Sequence, residues 1–455
     1  MNIVLVVVDT LRRDALSPYG SDNDTPHLAE IAEKSTVFED MTAASCWTMP
    51  THASMFTGLY PNRHRAVEPR VRLDSDITLV GDLMSEAGYE THAINIPNLL
   101  AGEETGFQRS WDEWHNTRKD PKHVQAARFA KSWFDIGLRE RPRYAFSPTF
   151  VDALRTNWRT QYSVDKVASL SANEGDSFVF TNLYAAHREY NPMPPDRPDV
   201  SEDAEKLSTR EDWYMFRYNY GDLDLPDSVI EENKRLYEAE VRWIDRNIGR
   251  LFRSLEEKGV LEETIVMVTG DHGELFGETD ESPWVDHRNS LHPVLLDVPF
   301  ILYHPDRAGS RDDRLASHVD IAPTILDGAG LGDRFADEIA NMDGYSLLGD
   351  ETHETVFAEH GPQHPSEPEI EETYDLDFSP YHVARKAART REYTLRVRSD
   401  GTHRAHNRLD PEQPVPDEEV DRLSALIDEE LGWESETSTE ESGAVRDRLR
   451  QLGYI

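Results

Sequence analysis

Two hydrophobic patterns alternate along the chain. Short, strongly apolar runs recur at residues 3–9 (IVLVVVD), 89–96 (YETHAINI), 177–185 (SFVFTNLYA), 264–270 (TIVMVTG) and 298–304 (VPFILYH). Runs of this length, bounded by glycine or polar residues, predict strands buried on both faces, as in a parallel sheet. Helical patterns lie between them. Residues 77–88 end at Gly88, and over 230–258 Tyr237, Val241, Ile244, Ile248, Leu251 and Leu255 step by four and three, one stripe of a long amphipathic helix that Gly259 stops. Residues 321–330 read as a short helix with Asp320 as its N-cap. The alternation predicts an α/β fold, a doubly wound, mostly parallel sheet flanked by helices.

Residues 101–175 and 188–228 break this rhythm. Rich in Trp, Arg, Tyr and Pro, they read as excursions from the sheet that roof a pocket. Their Trp133, Trp158 and Trp213 either pack the loops or stack on a sugar or aryl group. From about residue 351 the pattern changes to a TVFAEH strand, an acidic loop at 366–377, a strand pair in HVARKAART and EYTLRVRS, and an acidic stretch at 410–445 that is part helix and part solvated tail. The expected organisation is a catalytic α/β domain over 1–350 and a small α+β C-terminal subdomain over 351–455.

Charge narrows the function. Against 48 Lys and Arg stand 87 Asp and Glu, a net charge of −39, which excludes a nucleic-acid partner held by a basic face. The same excess predicts solubility in a high-salt cytoplasm, as in a halophile of haloarchaeal type, where salt screens the self-repulsion. One cysteine excludes an intramolecular disulfide. The first apolar run, Ile3 to Val8, is too short for a membrane span or signal-peptide core and has no basic segment before it, so the expectation is a cytoplasmic protein without a membrane anchor. No pattern reports on oligomeric state.

In open α/β sheets ligands bind beyond the carboxyl ends of the strands. Asp9 ends the first strand, and Asp271-His272 ends another in IVMVTGDHGE. Any one of them alone reads as a strand-end cap, but two carboxylates and an imidazole at neighbouring strand ends make a divalent-metal site. A third element, ASCWTMPTHASMFTGLYP, occupies 44–61.

These blocks, with VVVDTLRRDALSPYG, TLVGDLMSEAGYET, NLYAAHREYNPMPP, DHRNSLHPVLLDVPFIL and HVDIAPTILDGAG, occur in an order that resembles the sulfatase family of the alkaline phosphatase superfamily across most of residues 1–330. The resemblance implies a metal-dependent hydrolase of anionic esters. It puts the nucleophile two residues before a proline and nine before a Thr-Gly pair, which is Thr48, before Pro50 and Thr57-Gly58. Sulfatases proper place there a Cys or Ser oxidised to formylglycine, within Cys-x-Pro-x-Arg. Cys46 has neither the proline nor the arginine at those spacings and reads as a small buried residue. A formylglycine hydrate has a second hydroxyl that expels sulfate, whereas a threonine ester must be cleared by water or an acceptor alcohol. Thr-nucleophile relatives, the nucleotide phosphodiesterases and phosphoethanolamine transferases, work on phosphoryl groups, so the expected substrate is a small-molecule or glycan anionic ester, phosphoryl ahead of sulfate.

Carried over residue by residue, the resemblance implies Asp9, Asp271, His272 and Thr48 as ligands of one divalent ion, zinc or manganese ahead of calcium or magnesium, with a second ion open. Thr10 stands where the family often has a second Asp. His52 stands at the motif arginine and would bind substrate, and His187 and His287 match histidines that face the ester and protonate the leaving group. Arg12 either neutralises the ester with Arg13 or pairs with surface carboxylates. His292 reads as structural. A phospho-group transferase to a glycan or lipid acceptor, a true sulfuric ester hydrolase and a non-catalytic anion-binding protein are the alternatives.

Overall fold

A computed structural model describes residues 1–67, 71–95, 100–102, 105–117, 148–193, 196–209, 213–278, 284–362, 373–374, 376 and 383–433, with 148–157 as backbone. Trp133, most of the 366–377 loop and the tail beyond 433 lie outside these residues.

Eight strands form the large sheet: β1 (Asn2–Val8), β2 (Thr36–Thr42), β3 (Glu90–Ile94), β4 (Glu113–His115), β5 (Ser177–Leu183), β6 (Thr264–Gly270), and, past the small ribbon of β7 (Leu275–Phe276) and β8 (Val285–Asp286), β9 (Asp297–Tyr303) and β10 (Ser310–Ser317), in the order β10-β2-β9-β6-β1-β5-β3-β4. All run parallel except β9, antiparallel to both β2 and β6. The mostly parallel, doubly wound expectation is borne out. The expected strand at 298–304 is β9; among the described residues no helix longer than the turn Pro293–Leu296 separates it from β6, and it returns antiparallel.

Every residue of β1 is buried, because alternate side chains feed two cores. Ile3, Leu5 and Val7 join α2 (Thr48–Thr57) and neighbouring helices on one face, after α1 (Pro26–Ala32) has crossed the other. Val4, Val6 and Val8 meet the opposite core, built largely by α3 (Pro148–Leu170) and α4 (Asp227–Glu257). A β1 of six consecutive aliphatics is the consequence of being central and covered twice.

Two readings of the sequence are corrected and a third is extended. Residues 101–175 are not simply excursions: β4 extends the sheet, and α3 packs on β5 and α4, with Trp158 buried against it. Asp320 caps no hydrogen bond of the helix at Ile321–Gly328; its Oδ2 accepts from Ser317 N at 2.8 Å, and its Oδ1 accepts from Tyr345 N at 2.8 Å. The C-terminal strand pair is part of a four-stranded antiparallel sheet, β11 (Val356–His360), β12 (Arg385–Arg389), β13 (Tyr393–Arg398) and β14 (His403–Asn407), backed by α5 (Asp417–Glu430). This sheet supports the approach to α2: Glu359 N donates to Ala44 O at 3.0 Å, and Ser45 Oγ donates to Glu359 O at 2.6 Å.

Candidate active site

β1, β5 and β6 are adjacent and parallel, so their carboxyl ends open together. Asp9 follows β1, Asp271-His272 follows β6, and all three side chains are fully buried with their donor atoms within 4.8 Å of one another. Two glycines permit this: a Cβ on Gly270 would meet Leu11 O at 2.5 Å, and one on Gly273 would meet Val294 O at 2.1 Å.

Backbone groups orient each donor. Asp271 Oδ1 accepts from Thr10 N and His272 N, both at 2.9 Å, which leaves Oδ2 buried and without a hydrogen bond among the described residues. His272 Nδ1–H donates to Gly273 O at 2.8 Å, so Nε2 carries the lone pair, 3.6 Å from Asp271 Oδ2 and 4.0 Å from Asp9 Oδ1. Burial holds this imidazole neutral, its pKa pushed down to about 4. A neutral histidine fixed through its other nitrogen, beside buried carboxylates, is a metal-ligand arrangement. Thr10 contributes through its backbone N–H alone, since its Oγ1 donates to Ala186 O at 2.7 Å.

Thr48 opens α2, after an extended Trp47 that provides no side-chain cap, and Pro50 falls in the first turn, where its missing N–H costs nothing. Thr48 Oγ1 is buried and has no hydrogen-bond partner among the described residues. His52 ties the helix to the Asp9, Asp271 and His272 cluster: its Nδ1–H donates to Thr48 O at 2.7 Å and lies 3.9 Å from Asp271 Oδ2, while Nε2 faces Asn182 Nδ2 at 3.2 Å. With both nitrogens engaged and burial lowering its pKa, His52 is a neutral brace and offers no charge to an anion. Cys46 is fully buried in the core beneath.

Two further histidines extend the cluster, His287 tilted against His272 and His187 edge-on to His287. The His287 ring lies 4.4 Å from that of His272 and 5.4 Å from that of His187. His287 Nδ1 is 3.2 Å from both Glu274 Oε1 and Asp286 Oδ1; burial opposes its charge, but these carboxylates outweigh burial and raise its pKa. His187 stacks on Tyr184 at 4.3 Å, and burial followed by the neighbouring His287 lowers its pKa well below the usual value. Arg12 turns away: it forks onto Asp14 at 2.8 and 2.6 Å, reaches Glu278 at 2.6 Å and donates to Glu274 O at 3.0 Å. The substrate-binding expectation for Arg12 is therefore corrected to the ion-pair alternative. His292 N-caps the turn Pro293–Leu296.

Sequence reasoning passed over Glu274, Asn182, His318 and His360. Glu274 sits in the GDHGE block and is also reached by Tyr190 OH at 3.2 Å, a signal that was present but unassigned. His318 Nε2–H donates to Gly270 O at 3.0 Å, bracing the end of β6. His360 comes from the other sheet, which no local pattern reveals.

The sequence profile described as Sulfatase matches residues 1–331. The chain belongs to the sulfatase family. It is accordingly an ester hydrolase of that family. An endo-4-O-sulfatase of Bacteroides thetaiotaomicron is 27% identical over 419 residues, covering 85% of this chain and 78% of that protein. An N-acetylglucosamine-6-O-sulfatase of the same organism is 25% identical, covering 72% and 68%. Among solved structures, a phosphonate monoester hydrolase from Silicibacter pomeroyi aligns over 94% of both chains with a TM-score of 0.69 at 19% identity, a likeness of fold.

Proposed function

We propose that this sulfatase-family protein hydrolyses a phosphoryl ester, with Thr48 as nucleophile. The observation that carries the reading is the buried, unbonded Thr48 Oγ1 at a helix N-terminus joined through His52 to Asp271. The N-terminal dipole of α2 favours negative charge there. Asp9, Asp271 Oδ2, His272 Nε2 and Thr48 Oγ1 would hold one divalent ion, a mixed oxygen and nitrogen set that suits zinc or manganese. When bound, such an ion stabilises developing negative charge as a Lewis acid.

Thr48 Oγ1 loses its proton to solvent and attacks phosphorus as the alkoxide; the Oγ1–P bond forms as the bond to the leaving oxygen breaks. His287 Nε2 gives that oxygen its proton, with Glu274 and Asp286 fixing the ring through Nδ1. Water then attacks phosphorus, giving its proton to the now deprotonated His287 Nε2, and the Thr48 oxygen leaves as the alkoxide, ready for another cycle or for reprotonation from solvent. His187 faces the ester beside His287. Threonine has a single oxygen, so clearance by water replaces the aldehyde route of formylglycine, and phosphoryl groups suit that route. A sulfate ester is the second reading, favoured by the names of the sequence relatives. An acceptor alcohol in place of water would make the enzyme a transferase.

The test is turnover of aryl phosphate, phosphonate and sulfate esters in molar KCl with added manganese, zinc or calcium, followed by peptide mass spectrometry. Phosphate release with a phosphoryl adduct on Thr48 is expected. Sulfate release alone, or an adduct elsewhere, overturns the reading. We place the reaction in a high-salt cytoplasm because of the −39 net charge. No helix among the described residues is long and apolar enough to cross a membrane.

A further inference from the structure

A second donor set lies at the far edge of the large sheet, outside the active site. β3 and β4 pair in parallel with His92 beside Glu113 and Ile94 beside His115. Residues two apart on a strand share a face, so His92, Glu113 and His115 all project from the same side of the edge. One donor atom from each lies within 4.8 Å of the others. His115 Nε2 is 3.0 Å and His92 Nδ1 is 3.6 Å from Glu113 Oε2. These distances bracket the edge of about 3.3 Å that a tetrahedron of ~2.0–2.1 Å bonds requires.

His92 is the observation that points to a ligand. It is 4% exposed, and neither ring nitrogen has a hydrogen bond among the described residues. A buried imidazole normally satisfies both nitrogens. Its Nε2 faces Glu90 Oε2 at 3.6 Å, on the side of the ring away from the cluster. Metal-ligating histidines commonly donate their second N–H to a carboxylate, and Glu90 needs to close by only about half an ångström to accept it. Glu90 and Glu113 place two negative charges around the position, and among the described residues Lys166 stands near His115.

We propose that His92, Glu113 and His115 bind a divalent ion of the zinc class, which clasps the edge strand β4 to β3. Two imidazoles and a carboxylate are a zinc donor set, with water in the fourth position. β4 is only three residues long, too short for its backbone ladder to hold it firmly, so a cross-link there fixes the end of the sheet. Glu113 is largely exposed and His115 partly so, which gives the ion a route in from solvent.

The experiment is titration of the chelator-stripped full chain with zinc and, for its visible absorption, with cobalt, in molar KCl. Wild-type protein should take up an equivalent that survives Asp271→Ala, and Glu113→Gln or His115→Gln should weaken that equivalent more than about 100-fold. Both substitutions lie at solvent-accessible positions, and circular dichroism checks that they fold. An Asp271→Ala protein that binds no zinc, or Glu113→Gln and His115→Gln proteins that bind as wild type does, would overturn the proposal and leave the cluster an ion-paired surface feature. Because the readout is metal uptake in a protein without the central site, failure here is separate from failure of the Thr48 mechanism.

Discussion

The centre of the large sheet and its outer edge carry donors of the same kinds in opposite surroundings. At the centre, Asp9, Asp271 and His272 are wholly buried, and second hydrogen bonds set the orientation of Asp271 and His272. At the edge, His92 is buried but unbonded, and Glu113 reaches into solvent. The central donors are oriented by the protein before any ligand arrives, which is what a reacting site requires. The edge donors are loosely placed and can be organised by an ion. Catalysis should therefore fail when the centre is altered, and only local stability should change when the edge is.

The largest expected effect is at Thr48. Thr48→Ala should lower kcat on an aryl ester by about 10⁴-fold or more, the usual consequence of deleting a nucleophile. Thr48 Oγ1 makes no hydrogen bond among the described residues, so Tm should stay within a few degrees of wild type. Steady-state kinetics and calorimetry check both; activity above one part in a hundred would break the assignment of the centre.

Next comes the contrast between Asp271→Asn and Asp271→Ala. Either should remove the central ion and turnover. The amide oxygen can still accept from Thr10 N and His272 N, whereas alanine leaves two buried N–H groups unpaired, at about 1–3 kcal/mol each. Denaturant unfolding of the metal-free proteins should therefore find the alanine variant less stable by about 2–6 kcal/mol. Equal stability would mean that the orientation of Asp271 does not depend on those bonds.

Acid gives a smaller test of how deeply the centre is buried. Two residues beyond His52, about half a turn along α2, Ser54 meets His64, whose Nε2–H donates at 3.1 Å while Nδ1 accepts from Ala66 N at 3.0 Å. Burial pushes its pKa down to about 3. The folded state keeps His64 neutral, so its contribution is complete above the unfolded value of about 6.5. As pH falls the unfolded chain binds the proton first, and stability is lost at up to about 1.4 kcal/mol per pH unit until pH approaches 3. His64→Gln should flatten this limb by up to one proton in pH-dependent unfolding; an unchanged slope would mean that His64 is already charged in the fold.

The same contrast explains what could be read from the sequence. Residues buried on both faces of a central strand leave a continuous apolar signature, so β1 and β6 were legible almost to the residue, and the polar residues ending them pointed to the centre. β2 and β10 were missed because they carry charged residues such as Glu39, Arg311 and Asp312 in strand positions away from the middle of the sheet. β4 was missed because three residues carry no period. Glu274 and His318 act through partners distant in sequence, and His360 comes from the other sheet, none of which local pattern encodes. Arg12 shows the converse: its neighbourhood to Asp9 along the chain suggested a role that its ion pairs with Asp14 and Glu278 preclude.

The smallest expected effect lies behind the edge cluster, at Glu90. Its carboxylate is mostly solvent-exposed and makes only the 3.6 Å approach to His92, so Glu90→Gln should leave the Tm of metal-free protein unchanged. Through an edge ion, the same carboxylate would strengthen His92 as a ligand by accepting its second N–H, and its loss should weaken zinc uptake by about tenfold. Titration of zinc into an Asp271→Ala background isolates that change from the centre. A tenfold loss would show that the edge acquires its order from outside, through an ion and an exposed carboxylate. An unaltered affinity would show that His92 is oriented by packing alone, and would make the edge more like the centre than its exposure suggests.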